Sequence, residues 1–376
     1  MIRVLTFGRF ADNDFGGLER YVFGLAYGLR EKVHFTNVVA LRGPPPDVPI
    51  AGDTVYARPI ARLGNTPICP SMVWHARRLH RHEPFDIVHL QFPADPMAHA
   101  AMSMLPPSVK RVITWHSDIV RQKLLLRLYQ PLLDRLLRSV DAIILPTPAH
   151  LSSSRQLDVV RASGKFSVVP FGFDFSRFGK RAPGADAIRA RHEGRFLVFA
   201  LGRHVYYKGF EYLIRALPGA AAVDVVLGGR GPLTDDLKRL TASLGLEHRV
   251  EFAGRIPDAE LPAYYQACDV FCMPSVERSE AFGIVQVEAM ACGRPVVCCE
   301  LNNGVTWVNR DGETGLVVPP GDPAALAAAL VRLKEDSVLR TRLGEQARSR
   351  AVAEFTAEAM ARRTLDVYLS VLARPR

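Results

Sequence analysis

The chain has 376 residues, 48% of them hydrophobic and 23% charged, with a formal net charge of +10. This length exceeds what one hydrophobic core comfortably serves, so we expect two domains. No apolar run approaches the roughly 18–20 residues of a membrane-spanning helix. Residues 1–7 have no cleavage site and predict a first strand, not a signal peptide. The composition predicts an ordinary soluble globular protein and argues against a transmembrane one.

The positive charge is concentrated in the first half of the chain. Residues 1–170 contain 21 Lys and Arg but only 13 Asp and Glu, which leaves an excess of eight for this half out of ten for the whole chain. Such an asymmetry indicates that the first half meets an anionic partner. The six cysteines form no Cys-x-x-Cys pairs with histidine partners, and most lie in apolar segments. We therefore expect a reduced, cytoplasmic protein.

Short aliphatic runs alternate with amphipathic segments along the whole chain, a pattern typical of buried parallel strands joined by helices. In the first half the strand-like runs cover residues 2–7, 37–41, 86–90, 109–115, 142–145 and 166–169. In the second half they cover residues 196–201, 223–227, 250–252, 270–273, 295–298 and 316–318. Apolar residues at helical spacing occupy 18–29 and 210–217 between them.

Each half opens with a strand, a glycine-containing loop and a helix, and residues 171–194 between the halves lack periodicity. This repetition predicts an α/β protein with two Rossmann-like domains facing each other across a cleft, with ligands at the carboxyl ends of the strands. We place the first domain at residues 1–170 and the second at 171–355. A last helix, residues 356–376, is expected to pack back on the first domain.

The densest cluster of chemically informative residues is the stretch 274–293, which follows a strand and enters a helix. The backbone N–H groups of Phe282, Gly283 and Ile284 would stand at the positive end of that helix and favour an anion. Glu280 and Glu288 are spaced as Glu-x7-Glu, and carboxylates suit the hydroxyls of a sugar or a ribose.

Further motifs accompany this cluster: residues 16–20 (Gly-Gly-Leu-Glu-Arg), 86–91, 114–116 (Thr-Trp-His), 169–174, 201–203 with 208–209, and 311–315. Their order and spacing resemble family 4 of the retaining glycosyltransferases, which have the GT-B fold, over nearly the whole chain. Around residues 278–280 and 303–309 the composition is similar to that of bacterial polysaccharide and O-antigen mannosyl- or rhamnosyltransferases.

The resemblance implies a role for each matching residue. Arg203 and Lys208 would neutralise the diphosphate of a nucleotide-sugar donor, Glu280 would hold the donor sugar, and Glu288 the ribose. The remaining positions would approach the donor through the backbone; they are Gly16, Gly17, Ala281, Phe282, Gly283 and Ile284.

His116 would line the transfer site. At Gln91 the chain departs from the family, many members of which have a second histidine there, so the resemblance implies no role for that position.

The resemblance also implies the reaction. It predicts a hexosyltransferase that retains the anomeric configuration, uses no metal or other cofactor, and takes a nucleotide sugar of the GDP-mannose or GDP-rhamnose type. The acceptor would be a lipid-linked or oligosaccharide chain of bacterial polysaccharide or lipopolysaccharide O-antigen. We expect no nucleic-acid partner.

Other interpretations remain open at this point. Arg203 and Lys208 fit ordinary surface cations, Glu280 and Glu288 fit helix-start carboxylates, and His116 fits a core histidine. Glu280 and Glu288 would also suit a glycosidase if they faced one bond. A non-catalytic nucleotide-sugar or lipid-binding scaffold and a transferase for a soluble small-molecule acceptor are further alternatives. The turn 228–231 is glycine-rich, but it follows the second strand of its domain and indicates a tight turn near the donor base.

The segment 121–138 is amphipathic, with one side formed by Leu125, Leu128, Tyr129, Leu132 and Leu136 and the other by Lys123, Arg127, Arg135 and Arg138. Pro131 should kink or interrupt this helix. Two interpretations fit equally: a packing helix with a solvated basic face, or a helix that docks on an anionic membrane. The second would place the protein in the cytoplasm, peripherally bound to the inner face of the cell membrane.

Overall fold

The computed structural model of the protein describes residues 1–9, 17–41, 52–63, 66–93, 96–119 and 123–375. The chain forms two compact units. The first comprises Met1–Phe173 and Thr356–Arg376, and the second comprises Asp174–Phe355. The border after residue 173 lies three positions later than the predicted one, and the return to the first unit begins at residue 356.

The first unit contains a seven-stranded sheet and a short hairpin. Its strands are β1 (Ile2–Arg9), β2 (Val33–Ala40), β3 (Asp53–Ala57), β4 (Ala61–Leu63), β5 (Thr66–Ile68), β6 (Ile87–Phe92), β7 (Lys110–Trp115), β8 (Ala142–Leu145) and β9 (Phe166–Val168). Its first helices are α1 (Gly17–Leu29), α2 (Ser71–His82), α3 (Pro96–Met104), α4 (Lys123–Ser139) and α5 (Pro148–Ser153). The large sheet is entirely parallel, in the order β3-β2-β1-β6-β7-β8-β9, and β4 pairs antiparallel with β5.

The second unit contains a six-stranded parallel sheet in the order β12-β11-β10-β13-β14-β15. These strands are β10 (Phe196–Leu201), β11 (Val223–Gly228), β12 (Val250–Gly254), β13 (Val270–Met273), β14 (Val296–Cys299) and β15 (Gly315–Val318). Its helices are α6 (Ala185–Ala190), α7 (Phe210–Ala216), α8 (Thr234–Ser243), α9 (Leu261–Ala267), α10 (Ile284–Ala291), α11 (Gly304–Val308), α12 (Pro323–Glu335) and α13 (Ser337–Glu354). The last helix, α14 (Ala357–Ala373), belongs to the first unit.

In both sheets the first strand of the unit lies inside the sheet, and the chain builds outward from it in the two directions in turn. This is the doubly wound arrangement of a Rossmann-like domain. The predicted α/β class with two Rossmann-like units is confirmed, and every strand-like run found in the sequence corresponds to a strand. The strand β3 and the hairpin strands β4 and β5 were not predicted. In β3, a sheet-edge strand, only Ala57 is buried, so it has no continuous apolar run.

The border between the units is later than predicted because Phe171 packs into the first unit. Its ring stacks on His116 at a centroid distance of 5.2 Å and meets the Tyr21 ring edge-on at 5.5 Å. Gly172 lies so close to the start of the last helix that a Cβ atom would stand 2.4 Å from the Thr356 carbonyl oxygen. The stretch 171–194 is therefore not a bare linker, and it also contains α6.

The orientation of α4 differs from the predicted one. Leu133, Leu136 and Leu137 are buried in the core beneath the sheet, whereas Leu128 and Leu132 are 76% and 57% exposed. Residues 133, 136, 137 and 140 form one helical stripe, so the neighbouring stripe that contains Leu128 and Leu132 turns outward. Pro131 does not interrupt the helix, which runs unbroken from Lys123 to Ser139.

No helix in the described ranges is both long enough and apolar enough to cross a membrane.

The last helix is joined to the first sheet by a buried hydrogen-bonded chain. His89 on β6 is fully buried, with Nδ1 2.6 Å from the Tyr368 hydroxyl and Nε2 2.7 Å from Thr114 Oγ1. Tyr21 on α1 joins the same chain through the Thr114 hydroxyl at 3.2 Å. His89 is therefore a core histidine. Because Tyr368 lies on α14, these hydrogen bonds fix the C-terminal helix to the first unit.

Replacing Tyr368 by Phe should lower the free energy of unfolding of the first unit. The change leaves one buried nitrogen of His89 without a partner, a loss of about 1–3 kcal/mol. Urea denaturation followed by tryptophan fluorescence in a Trp307→Phe background measures this, because the other two tryptophans, Trp74 and Trp115, belong to the first unit. Tyr27→Phe, at an exposed tyrosine of α1, is the control and should change nothing. Equal stability of the two variants would contradict the anchoring role.

Several histidines of the first unit are held neutral by their surroundings. Burial lowers the pKa of His89 to about 3 and those of His99 and His150 to about 4. His99 Nδ1 lies 2.8 Å from the Tyr129 hydroxyl, and His150 Nδ1 lies 2.7 Å from Thr147 Oγ1. The unfolded chain binds protons at these histidines near the ordinary pKa of 6.5, whereas the folded unit does so only at lower pH. The contribution of these histidines to the free energy of unfolding is therefore fully present above pH 6.5. It is lost as the pH falls from 6.5 toward their pKa values in the folded protein.

The free energy of unfolding of the first unit should therefore fall between pH 7 and pH 5. Each buried histidine contributes a slope of up to about 1.4 kcal/mol per pH unit in this window. In the same fluorescence assay, His99→Gln should give a shallower pH dependence than the parent, and His82→Gln, at an exposed histidine, should not. A parent stability that does not change between pH 7 and pH 5 would contradict this expectation.

Candidate functional site

In the second sheet the strand order reverses between β10 and β13. These two strands pair in parallel, with Val198 opposite Val270 and Phe199 opposite Phe271. After β10 the chain proceeds to β11 on one side, and β13 continues to β14 on the other. The loops that leave the carboxyl ends of two such strands diverge, and this point of a doubly wound sheet is where ligands bind. Residues 202–209 form one of these loops and residues 274–283 the other.

The two loops are held against each other by their backbones. Val276 N donates to the Tyr207 carbonyl oxygen at 2.9 Å. Gly209, with φ +66°, caps α7 so close to the other loop that a Cβ atom would stand 2.1 Å from the Pro274 carbonyl oxygen. Both the left-handed conformation and the contact require glycine here. The residues that the loops carry are thereby brought to one place.

Lys208 and Glu280, 72 positions apart in the chain, form an ion pair in which Lys208 Nζ donates to Glu280 Oε2. Their side chains are only 13% and 12% exposed. Ser275 Oγ donates to the same carboxylate oxygen at 3.3 Å. Arg203 is exposed, and no acidic side chain among the described residues pairs with it. The sequence predicted both Lys208 and Glu280 for the site, but not that they contact each other.

The start of α10 is shaped by Gly283, which has φ +72° and would place a Cβ atom 2.7 Å from Met273 Sδ. Phe282 is buried, and its carbonyl oxygen accepts from Gln286 Nε2 at 2.7 Å. The carbonyl oxygen of Glu280 accepts from Asn303 Nδ2 at 2.6 Å. The first N–H groups of a helix have no acceptor within the helix, so this end of α10 carries partial positive charge. Ala281 and Ile284, on either side of the turn, are partly exposed.

Glu288 lies one turn inside α10 and is buried. Its Oε2 atom accepts from the Tyr265 hydroxyl at 2.8 Å, and its Oε1 atom lies 3.9 Å from an Arg177 guanidinium nitrogen. Burial and the Glu288 carboxylate raise the pKa of Tyr265 well above its ordinary value, so the tyrosine stays a hydrogen-bond donor. Glu288 therefore has partners distinct from those of Glu280, and no sequence pattern pointed to Tyr265 or Arg177.

The glycine-rich turn after β11 packs on the loop that carries Arg203. Gly229 has φ +110°, and a Cβ atom there would stand 1.9 Å from the Gly202 carbonyl oxygen. His204 N donates to the Arg230 carbonyl oxygen at 3.1 Å, which ties the two loops together. Glycine serves close backbone packing at this turn, which agrees with a tight turn.

In the first unit, His116 follows the carboxyl end of β7. Its Nε2 atom lies 2.8 Å from Gln91 Oε1, and its ring contacts the rings of Phe171 and Tyr21. Burial, and secondarily the nearby His89 and His150, lowers the pKa of His116 to about 3. An amide oxygen only accepts, so Nε2 carries the proton of this neutral ring and Nδ1 is an acceptor. Gln91 therefore has a definite partner, at the position where the chain departs from the family pattern.

Some predicted positions lie beyond these observations. Gly16 is outside the described residues, and Gly17 is the first residue of α1. Lys123 begins α4, and its side chain is outside what the structure describes. Within the described ranges no three His, Cys, Asp or Glu side chains gather as a metal ion would require. None of the six cysteines forms a disulfide bond, and five of them are buried.

Two protein-family models match the chain in succession. Residues 15–177 match the model described as Glycosyltransferase Family 4, and residues 185–350 match the model described as Glycosyl transferases group 1. The first match falls on the first unit except for its last four residues, and the second falls within the second unit.

Similar proteins include two bacterial enzymes that align over almost the full length. O-antigen chain mannosyltransferase C of Escherichia coli is 30% identical, and the alignment covers 99% of each chain. The D-rhamnosyltransferase WbpZ of Pseudomonas aeruginosa is 36% identical, over 95% of this chain and 93% of the relative.

Among solved structures, that of HepE from Anabaena in complex with UDP superimposes with a TM-score of 0.78 at 21% identity, covering 98% of this chain and 100% of HepE. At that identity the likeness concerns the fold. The family matches, the two full-length relatives and the two Rossmann-like units agree with one another: the chain belongs to glycosyltransferase family 4 and has the GT-B fold.

Proposed function

We propose that this glycosyltransferase transfers mannose or rhamnose from a GDP-sugar, with retention of configuration, to a lipid-linked acceptor in the synthesis of bacterial polysaccharide or lipopolysaccharide O-antigen. The observation that carries the proposal is the contact of two loops at the reversal point of the second sheet, one with Arg203 and Lys208 and the other with Glu280 and the start of α10. The names of the two relatives, an O-antigen mannosyltransferase and a D-rhamnosyltransferase, support the choice of sugar and product.

In this proposal the second unit binds the donor. Breaking the bond between the anomeric carbon and the diphosphate leaves negative charge on the departing phosphate oxygens. Fixed cations and helix N–H groups lower the barrier when they stand where that charge develops. The cations are Lys208 and Arg203, and Arg203 is exposed and has no carboxylate partner among the described residues. The helix dipole is that of α10. Glu280 accepts from hydroxyls of the donor sugar, and Glu288 from those of the ribose.

The first unit would bind the acceptor. The acceptor hydroxyl forms the new bond to the anomeric carbon from the side that the diphosphate leaves, and its proton passes to the departing phosphate oxygen. His116, neutral and with Nδ1 as an acceptor, would receive a hydrogen bond from a substrate hydroxyl at this site. Gly16 and Gly17 would allow the loop after β1 to approach the phosphates. In this mechanism Arg203, Lys208 and the helix start neutralise the diphosphate, so we propose that neither a metal nor another cofactor takes part.

The function is tested by a screen of nucleotide sugars with a bacterial lipid extract as acceptor, in which release of nucleoside diphosphate is measured with EDTA present. GDP-mannose or GDP-rhamnose should give release that EDTA does not abolish. Arg203→Ala should lower the rate about 100-fold, as expected for a lost transition-state contact, whereas Arg332→Ala, at an exposed arginine of α12, should not change it.

Two results would contradict this function. Release from none of the sugars would favour the non-catalytic scaffold, and activity that requires added Mn²⁺ or Mg²⁺ would refute the metal-free mechanism.

Membrane attachment is the second part of the proposal, and the outer face of α4 supports it. Leu128 and Leu132 project outward between Arg127, Arg135 and Arg138, all exposed. Exposed leucines flanked by arginines are typical of helices that lie on anionic bilayers. Each arginine near such a surface contributes about 1 kcal/mol of attraction.

A second helix extends this face. On α2, Trp74 is 54% exposed, with the Arg78 guanidinium 5.0 Å from its ring centroid. Met72 of α2 and Leu133 of α4 are buried in one core, so both helices cover the same side of the first sheet. Between them α3 packs on α2 and reaches α4 through His99 and Tyr129. We name the outer surface of α2 and α4 the basic face, and propose that an anionic bilayer at the inner side of the cell membrane is its partner.

Flotation with liposomes tests the basic face. The protein should bind vesicles that contain acidic phospholipid at low salt, and much less at high salt, because salt screens the attraction within about 8 Å at physiological strength. The double variant Leu128→Gln and Leu132→Gln should bind less. Val338→Gln with Val352→Gln, two exposed apolar residues of α13 in the second unit, is the matched control. Equal binding to neutral and acidic vesicles, or to neither, would refute membrane docking and favour a soluble acceptor.

A further inference from the structure

The ion pair between Lys208 and Glu280 joins two residues that a bound donor would separate. Each side chain is more than four-fifths buried, so each charge needs a partner inside the protein. In the structure that partner is the other residue. The only additional side-chain contact of the Glu280 carboxylate among the described residues is the Ser275 hydroxyl, a neutral donor at 3.3 Å.

We propose, resting on the donor site assigned above, that Glu280 competes with the donor diphosphate for Lys208, so that the site favours the intact nucleotide sugar over the nucleoside diphosphate that the reaction releases. The preferred ligand has two features together: a diphosphate that pairs with Lys208 and sugar hydroxyls that donate hydrogen bonds to Glu280.

The preference follows from counting partners for the two buried charges. With an intact donor, the diphosphate takes Lys208 and the sugar hydroxyls take Glu280, so both charges remain partnered. With the nucleoside diphosphate alone, the phosphates take Lys208 and Glu280 keeps only the Ser275 hydroxyl. A buried carboxylate whose cation is replaced by sugar hydroxyls keeps hydrogen-bond donors, whereas one that loses its cation without a replacement is strongly destabilised. After transfer, Glu280 regains Lys208, and this exchange promotes release of the nucleoside diphosphate.

The surrounding loops make the exchange a local one. The hydrogen bond from Val276 to Tyr207 and the contact of Gly209 with Pro274 hold the two loops together. Asn303 holds the Glu280 backbone through its carbonyl oxygen. With both backbones tied, the pair opens through rotation of the long Lys208 and Glu280 side chains and not through separation of the loops.

The same loop offers a matched control. Glu277 lies three positions before Glu280, is exposed, and has no ion pair with a cation among the described residues. Removing its charge changes the net charge of the loop as Glu280→Gln does, but leaves Lys208 paired. Any general effect of a lost negative charge near the diphosphate is thereby separated from the specific effect of the freed Lys208.

The test is isothermal titration of GDP and of UDP into the parent protein, Glu280→Gln and Glu277→Gln. For the nucleoside diphosphate that the parent binds better, Glu280→Gln should bind about tenfold more tightly, although its turnover falls because the sugar loses its acceptor. Glu277→Gln should match the parent. In a Lys208→Met background, adding Glu280→Gln should bring no gain, because no cation is freed.

A nucleoside diphosphate affinity of Glu280→Gln equal to or weaker than that of the parent would overturn the competition while leaving the donor site in place. The same gain in Glu277→Gln, or in the Lys208→Met background, would also overturn it, because the effect would then be general electrostatics. Absence of GDP and UDP binding in all variants would instead refute the donor site itself, and the competition with it.

Discussion

The arrangement of the second unit depends on one constraint, the reversal of strand order beside β10. In a parallel sheet each crossover returns the chain to the same edge, so all carboxyl ends of the strands face one side. Where the sheet begins to grow in the opposite direction, two adjacent loops leave in different directions and open a crevice. Arg203, Lys208, Glu280 and the start of α10 follow the two strands at that point. The order of the strands therefore brings the loops that carry these residues together, whatever the side chains on them are.

Glycine then decides how closely these loops approach. Gly209, Gly229 and Gly283 each have positive φ, and each would bring a Cβ atom within 3 Å of a neighbouring atom. In the first unit, side chains and not glycines hold the residue after β7 in place. The ring of His116 contacts an amide oxygen and two aromatic rings. One unit therefore has a charged site built on tight backbone contacts, and the other has a neutral histidine held by side chains.

The sequence was sufficient for the fold class because aliphatic runs and helical periodicity depend on local burial. It missed β3 because an edge strand needs no apolar run. It placed Leu128 and Leu132 on the wrong side of α4 because leucines occupy two adjacent stripes of that helix, and only packing decides between them. Lys208 and Glu280 were identified from motifs, but their contact depends on two loops 72 residues apart. Tyr265 beside Glu288 carried no pattern at all.

The membership of α14 in the first unit has a consequence for biosynthesis. The second unit is, in topological terms, an insertion between Phe173 and Thr356, whose backbones form a bridge, with Ala357 N donating to the Phe173 carbonyl oxygen at 3.1 Å. During synthesis the ribosome completes all of the inserted unit before it adds Tyr368, the partner of His89. The nascent first unit therefore lacks α14, and the surface that α14 covers stays exposed. By then the whole second unit has been synthesised. Since domains fold as units during translation, the unit that begins first is the one that finishes last.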